Sequence, residues 1–282
     1  MTLFEEISAF LSEHGIRHNA VNIEESLVVV AHIESKIVHL IPVEISAEDI
    51  GVAEDQSLKL CRCIDHIISS TSRRPMIITE DRWRSQGNMT RSRILAHLKI
   101  FTQVYARNCE IRKIDKQTAA EFLEKHHSYG DAACKYRYGL YLKRHTGHNA
   151  ENNKHINELI AVATFSNARK WVKSDKIIRS YEWTRYASLP QLRISGGMGR
   201  LMKAFITDIH PDDIMSYADL EWSEGNVYEA LGFSLEGKKS PVAFSIDTNT
   251  WKRKASVLQS YPTRYFVNFG SNKYRLKLTD YQ

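Results

Sequence analysis

The segment with the clearest chemical meaning is Arg193-Ile-Ser-Gly-Gly-Met-Gly-Arg-Leu201. Glycines between a strand and a helix let backbone N–H groups approach a phosphate, and the helix N-terminus adds a favourable dipole. The same pattern also serves plain tight connections. Asp219 ends a hydrophobic strand, Asp213–Asp219, where a carboxylate can act as a base, orient a nucleophile, cap a helix or sit as a surface charge. The metal-ligand types do not assemble into a known spacing. Cys61-x-Cys63 with His66 has no second pair at zinc-finger distance, so a core thiol is expected there. His145, His148 and His155 fall in a polar insertion, and no metal ligand set is assigned.

These residues need elements to hold them. Residues 3–14 have the apolar spacing of an amphipathic helix, and Leu27–His32 and Lys36–Ile45 read as a strand pair around Glu34-Ser35. Residues 56–70 read as a helix, 74–79 as a buried strand and 88–105 as a second helical stretch. From Cys109 the order is strand, helix (115–125), two antiparallel strands (136–142 and 158–166), strand (178–187), Gly-rich loop, helix (201–209), strand (213–219), short helix (225–231) and a strand from Phe233. The expected fold class is α/β. Residues 1–105 would form a small α/β domain, 106–248 a domain with a central mixed sheet, and 249–282 a basic aromatic extension, with a hairpin closing at Phe269–Asn272.

Charge is unevenly spread over the 282 residues. Residues 1–60 carry 3 Lys/Arg against 11 Asp/Glu, 61–250 carry 29 against 21, and 251–282 carry 7 against 1. Cations that grip phosphates, interleaved with aromatics that stack bases, are expected at Arg82, Arg84, Arg91 and Arg93 beside Trp83, and at Lys252, Arg253, Lys254, Lys273 and Arg275. Arg107, Arg112, Lys113, Lys135 and Arg137 extend this basic character. The alternative is a solvated face carrying ordinary solubility charge. No apolar run approaches the roughly 18 residues of a membrane helix, and the acidic amphipathic start lacks a signal-type core. Four cysteines make no disulfide framework at this length, so a cytoplasmic location is expected.

The element order of 106–248 matches that of the GNAT acyltransferase fold, and Arg193–Leu201 resembles the pyrophosphate loop of that family. The match departs in one respect: Met198 stands where a small residue belongs, and Gly197-x-Gly199 restores the pair with a one-residue shift. A narrower resemblance spans roughly 76–235. It is carried by Tyr105–Arg112, Glu121–His127, Lys135–Gly139, Ala163–Ser166, Tyr181–Arg185 and Ser216–Phe233, and it points to Mom-type phage DNA-modification proteins. Thr79–Trp83 and Ser92–Leu95 are similar to the end of the Vsr-like nuclease domain of Hef-like homing-endonuclease relatives, here degenerate: the expected acids are missing around Val21–Ile33, and Glu34-Ser-Lys36 falls in a turn.

The resemblance implies a DNA-modifying acyltransferase encoded by a phage or mobile element and acting in a bacterial host. It would use acetyl-CoA or another acyl-CoA on double-stranded DNA, at the exocyclic amine of a base, adenine by preference. Asp219 and Tyr228 would be the catalytic pair, the tyrosine protonating the leaving thiolate. His127 (or its neighbour His126) and Arg185 would lie beside the cleft. Ile194, Ser195, Gly196, Gly197, Met198, Gly199, Arg200 and Asn226 would hold the cofactor. Two rivals remain: a Hef-like endonuclease relative that binds or cuts DNA, and a GNAT enzyme acting on a small amine or protein lysine.

Overall fold

The computed structural model describes residues 1–34, 36–144, 155–173, 176–255 and 263–280. His145, His148 and Ser35 therefore lie outside the described residues. The first elements are α1 (Leu3–Glu13), β1 (Arg17–Ile23), β2 (Ser26–Ile33), β3 (Lys36–Val43), α2 (Ile50–Thr71), β4 (Met76–Thr79), α3 (Glu80–Ser85) and α4 (Gly87–His97). There follow β5 (Thr102–Tyr105), a 3-10 turn, β6 (Cys109–Lys113), α5 (Lys116–His126), β7 (Tyr136–Leu142), β8 (Leu159–Phe165), β9 (Arg169–Lys173) and β10 (Lys176–Ser188). The chain continues through β11 (Leu192–Ser195), α6 (Gly197–Ile209), β12 (Asp213–Asp219), α7 (Asn226–Ala230) and β13 (Ser234–Lys239). It closes with β14 (Ala243–Asp247), β15 (Arg253–Lys254), β16 (Thr263–Val267) and β17 (Ser271–Lys277).

Contacts divide the chain into two units that are discontinuous in sequence. Unit 1 is Met1–Lys99, Ala218–Gly225 and Lys238–Asn272; unit 2 is Ile100–Tyr217, Asn226–Gly237 and Lys273–Gln282. This grouping differs from a partition at residues 105 and 248 for two physical reasons. Helix α4 stops at His97, with Lys99 in a left-handed turn (φ 63°), and Thr102–Tyr105 is a strand paired with β11, not a continuation of the helix. The C-terminal segment forms no separate hairpin at Phe269–Asn272. β16 pairs with β14, and β17 belongs to the large sheet.

Unit 1 contains a four-stranded sheet in the order β1-β2-β3-β4, antiparallel except for β3–β4. Helix α1 starts in a capping box: Thr2 Oγ1 accepts from the Glu5 N–H (3.2 Å), and the Glu5 carboxylate accepts from the Thr2 N–H (2.8 Å). Its buried Leu3, Ile7, Phe10 and Leu11 pack on Val29, Leu40 and Trp83. On the other side Cys63, Ile64 and Ile67 of α2 join Ile41, Ile246 and Phe266 in a second core. Cys61 and Cys63 are thus helical core thiols, which burial pushes above their ordinary pKa.

Unit 2 is built on a mixed sheet ordered β13-β17-β12-β10-β8-β7-β6, with β9 paired to β10 beside it. The chain is therefore mixed α/β with a central mixed sheet. β6, β7, β8 and β10 run antiparallel in succession, whereas β10 and β12 are parallel and are linked through α6. Phe205 of α6 stacks on Phe165 (3.9 Å between ring centroids) with Tyr136, Tyr138 and Tyr181 edge-on around it. This aromatic cluster fixes the height at which α6 begins. Among the described residues no helix is long and apolar enough to cross a membrane.

Candidate functional site

The Gly-rich loop is set by packing on both sides. β11 lies parallel to β5, with Ser195 opposite Tyr105, and Gln103 Nε2 donates to Ser195 Oγ (3.0 Å). Gly196 then takes a left-handed turn (φ 77°), and α6 begins at Gly197. A Cβ at Gly197 would lie 2.8 Å from Ile194 Cγ2 and 3.1 Å from the Tyr186 hydroxyl; one at Gly199 would lie 3.0 Å from Leu231 Cδ2. The shifted pair Gly197-x-Gly199 thus has a steric cause, and Gly196 has a separate one in its backbone sign. The first amides of α6 have no partner inside the helix and carry the positive end of its dipole.

Arg200 donates to the Ala106 carbonyl, and Arg107 lies over the Tyr105 ring (4.9 Å). These residues, with Ser195 and Gly196, line a cavity of about 380 Å³. Two guanidiniums and a helix start around one cavity make an anion-accepting corner. Arg107 is the member that motif reading missed, because it sits in a different segment. We expect Gly197→Ala to weaken anion binding here and to destabilise the fold by about 1–3 kcal/mol through overpacking, read by thermal denaturation. An unchanged melting temperature would show that the loop yields freely.

The two parallel strands β10 and β12 pair over a short stretch and then part. β10 and β12 pair only over Ser180–Glu182 and Asp213–Met215, and β10 shifts register against β8 between Trp183 and Arg185. The Trp183 carbonyl, past the end of the ladder, accepts from the buried Ser216 Oγ (3.0 Å). Ser216 Oγ also donates towards the Tyr228 hydroxyl oxygen (2.8 Å), so its one proton is shared between two acceptors. The Tyr228 ring stacks on Tyr274 (5.3 Å) and meets Phe233 and Trp183 edge-on. Burial raises the Tyr228 phenol above its ordinary pKa; the Ser216 hydrogen bond opposes the shift and Tyr274 adds to it. Asn226, the first residue of α7, is exposed.

The two histidines separate. His126 leans on Phe122 (4.7 Å), and burial, then Lys125, lowers its pKa. His127 caps α5, and its Nδ1 accepts from the Tyr129 N–H (3.1 Å), which leaves the proton of the neutral ring on Nε2. Arg185 donates from Nε to the Gly130 carbonyl (3.1 Å) and from Nη1 to the Thr184 carbonyl. The arginine holds the 127–131 turn from one side while Glu124 accepts from the Asp131 N–H on the other.

Asp219 belongs to unit 1. Its carboxylate accepts from the Glu221 N–H (3.0 Å) and lies 3.8 Å from the Arg82 guanidinium. That turn is surrounded by arginines which sequence reading assigned to DNA. Arg82, 3% exposed, binds the buried Glu221 (2.7 Å). Arg253 binds Asp81, Glu221 (2.6 Å) and Thr79 (2.8 Å), and Arg93 donates to the Trp222 carbonyl while lying over its ring (4.1 Å). Burial lowers Arg93 to about 10. These three guanidiniums are spent on internal partners and present no charge to a phosphate, which corrects the expectation for Arg82, Arg93 and Arg253.

Arg84 pairs with Glu6 and Glu80, and Arg91 lies over Trp83 (4.1 Å). In unit 2, Lys273 binds Glu236 (2.7 Å), and Arg275 binds Asp213 (2.5 Å) and Glu236 (2.6 Å). Of the nine cations singled out, Lys252 and Lys254 are the exposed ones without an ion pair among the described residues.

β1 to β4 carry no Asp or Glu, and among the described residues no cluster of His, Cys, Asp or Glu could hold a metal ion. His155 pairs with Glu158 (2.7 Å). All four thiols are raised by burial, Cys109 to about 11, so none has the depressed pKa of a nucleophile.

No protein-family model matches the chain, and no curated protein matches it. Solved structures do. The ribosomal-protein-S5-alanine acetyltransferase of Vibrio fischeri is 12% identical over 62% of this chain and 96% of its own, with a TM-score of 0.37. A Bacillus subtilis acetyltransferase in complex with CoA is 13% identical over 61% and 99% (TM-score 0.34). A GNAT-family acetyltransferase of Bacillus anthracis is 13% identical over 60% and 95% (TM-score 0.32).

Proposed function

We propose that unit 2 binds an acyl-CoA and transfers its acyl group to an amine. The observation that carries this reading is the glycine-opened start of α6, flanked by Arg107 and Arg200, with Tyr186 of β10 against Gly197. The amides and guanidiniums suit a pyrophosphate in number and sign. An acyl-CoA held there supplies a thioester whose C–S bond breaks as the amine nitrogen bonds to the carbonyl carbon. Tyr228, protonated across the neutral range, gives its proton to the departing sulfur, and the amine proton leaves to solvent. His127 and Arg185 shape the 127–131 turn.

For the acceptor we propose the exocyclic amine of a DNA base, supported by the Mom-type resemblance across 76–235. Unit 1, whose strands lack carboxylates, would serve as a non-catalytic module. The internal pairing of Arg82, Arg93 and Arg253 favours a second acceptor, a small amine or protein lysine.

Calorimetric titration with acetyl-CoA tests the cofactor. Arg200→Ala should weaken binding about 10- to 100-fold, the worth of a hydrogen bond to a charged group. No binding by the unaltered protein ends the proposal. Mass spectrometry of nucleosides from DNA of expressing cells then decides the acceptor. A mass increase on one base supports DNA, whereas unaltered nucleosides with acylated amines in the same extract support the second reading.

A further inference from the structure

We infer that the β9–β10 ribbon of unit 2 is a duplex-DNA-binding element. Eleven residues, 169–179, carry five Lys/Arg (Arg169, Lys170, Lys173, Lys176, Arg179) and one Asp. β9 pairs with β10 alone, in the register Lys173↔Lys176, Val172↔Ile177, Trp171↔Ile178 and Lys170↔Arg179. Two of these four pairs set cation directly against cation. Like charges in opposed positions destabilise a ribbon, and a bound polyanion removes that cost.

The two faces differ in character. On one, Ile178 is buried and Trp171 half-buried, which seats the ribbon on its own unit. On the other, Val172 and Ile177 stand side by side, 72% and 65% exposed, with Lys170 and Arg179 as the next opposed pair towards the root. Arg179 is fixed at the root by Asp212 (3.5 Å) and the His210 carbonyl. Arg169, Lys170 and Lys176 are exposed, and among the described residues none of them has an ion-pair partner.

A two-stranded ribbon, with strands about 5 Å apart plus side chains, fits the roughly 12 Å major groove of B-DNA. The exposed apolar pair suits thymine methyls, and the cations distributed along both strands suit phosphates. Ile177 lies six residues before Trp183, about 20 Å along the strand, or roughly six base-pair steps from where β10 and β12 part. This deepens the DNA-acceptor reading above and adds a binding element which charge counting along the sequence did not isolate.

The test is fluorescence anisotropy of a short labelled DNA duplex titrated with the full chain at several salt concentrations. Replacing Arg169, Lys170 and Lys176 together by Gln should weaken binding at least tenfold at about 0.1 M salt, and should lower the slope of log K against log salt by about 2 to 3. The control substitutes the exposed Arg62, Lys116 and Lys125 by Gln, with the slope retained. Circular dichroism melting and acetyl-CoA titration on the same samples separate loss of fold, or failure of the acyl-CoA reading, from loss of DNA contact.

An unchanged slope in the ribbon variant, or no duplex binding by the unaltered protein, overturns the inference. So does equal affinity for duplex RNA, whose deep, narrow major groove excludes a ribbon. Binding to phosphatidylcholine vesicles containing phosphatidylserine, without duplex binding, would make the ribbon a membrane contact instead.

Discussion

Arg253→Met is expected to lower the stability of unit 1 by about 3–5 kcal/mol, because it strips the partner from two buried carboxylates, Asp81 and Glu221. For a unit of this size that is a fall of roughly 10 °C or more in melting temperature. Met keeps most of the side-chain volume, so the loss reports charge more than packing. Burial by itself would raise the Glu221 pKa; Arg253 and then Arg82 overcome it and hold the acid at about 2. A depressed acid stabilises the fold fully above its unfolded pKa, and that contribution is lost as pH falls through the folded value. The gap between Arg253→Met and the unaltered protein should therefore narrow as pH drops from about 4.5 towards about 2. Melting curves at neutral pH and near pH 3 check both parts. A gap that stays constant with pH would assign the effect to packing.

This cluster explains why so much of the basic character misleads when read from sequence. Arg82 and Arg93 sit in an arginine-rich run, and Arg253 in a Lys-Arg-Lys triplet, which is the composition of a phosphate-gripping surface. Their partners Asp81, Glu221 and the Trp222 carbonyl are brought in by folding, most of them more than a hundred residues away. Charge counting records a side chain and not its partner.

The same limit governs the elements. Helices α1, α2 and α5 and the strands with apolar alternation were legible from periodicity and caps. β1, Arg-His-Asn-Ala-Val-Asn-Ile, is polar on one side and pairs only with β2, so its pattern is faint. β5 was hidden because α4 stops at His97 and the left-handed turn at Lys99 that follows has neither Gly nor Pro to mark it. The Gly-rich loop was legible as a loop, whereas the reason for its one-residue shift lies in Ile194, Tyr186 and Leu231, which only the fold brings against it.

Tyr228→Phe is expected to lower kcat for acyl transfer by about 100-fold, the lower range for loss of a positioned general acid, with KM for acetyl-CoA nearly unchanged. The ring contacts with Tyr274, Phe233 and Trp183 survive in Phe, so melting temperature should move little, which separates chemistry from packing. In the resting protein the phenol oxygen accepts from Ser216, which leaves the phenol's own proton for a thiolate. Ser216→Ala removes that tether and leaves the Trp183 carbonyl without its donor. It should therefore cost stability while reducing kcat far less than Tyr228→Phe. The pH profile adds a readout that a structural tyrosine would not move. Burial keeps the phenol protonated above its ordinary range, so the unaltered enzyme should hold its rate into mildly alkaline solution. The Phe variant should recover relative to it as pH rises, since a thiolate that is stable in solution needs no donor. A Tyr228→Phe rate within twofold of the unaltered protein at every pH would remove Tyr228 from the chemistry and leave it a packing residue of α7.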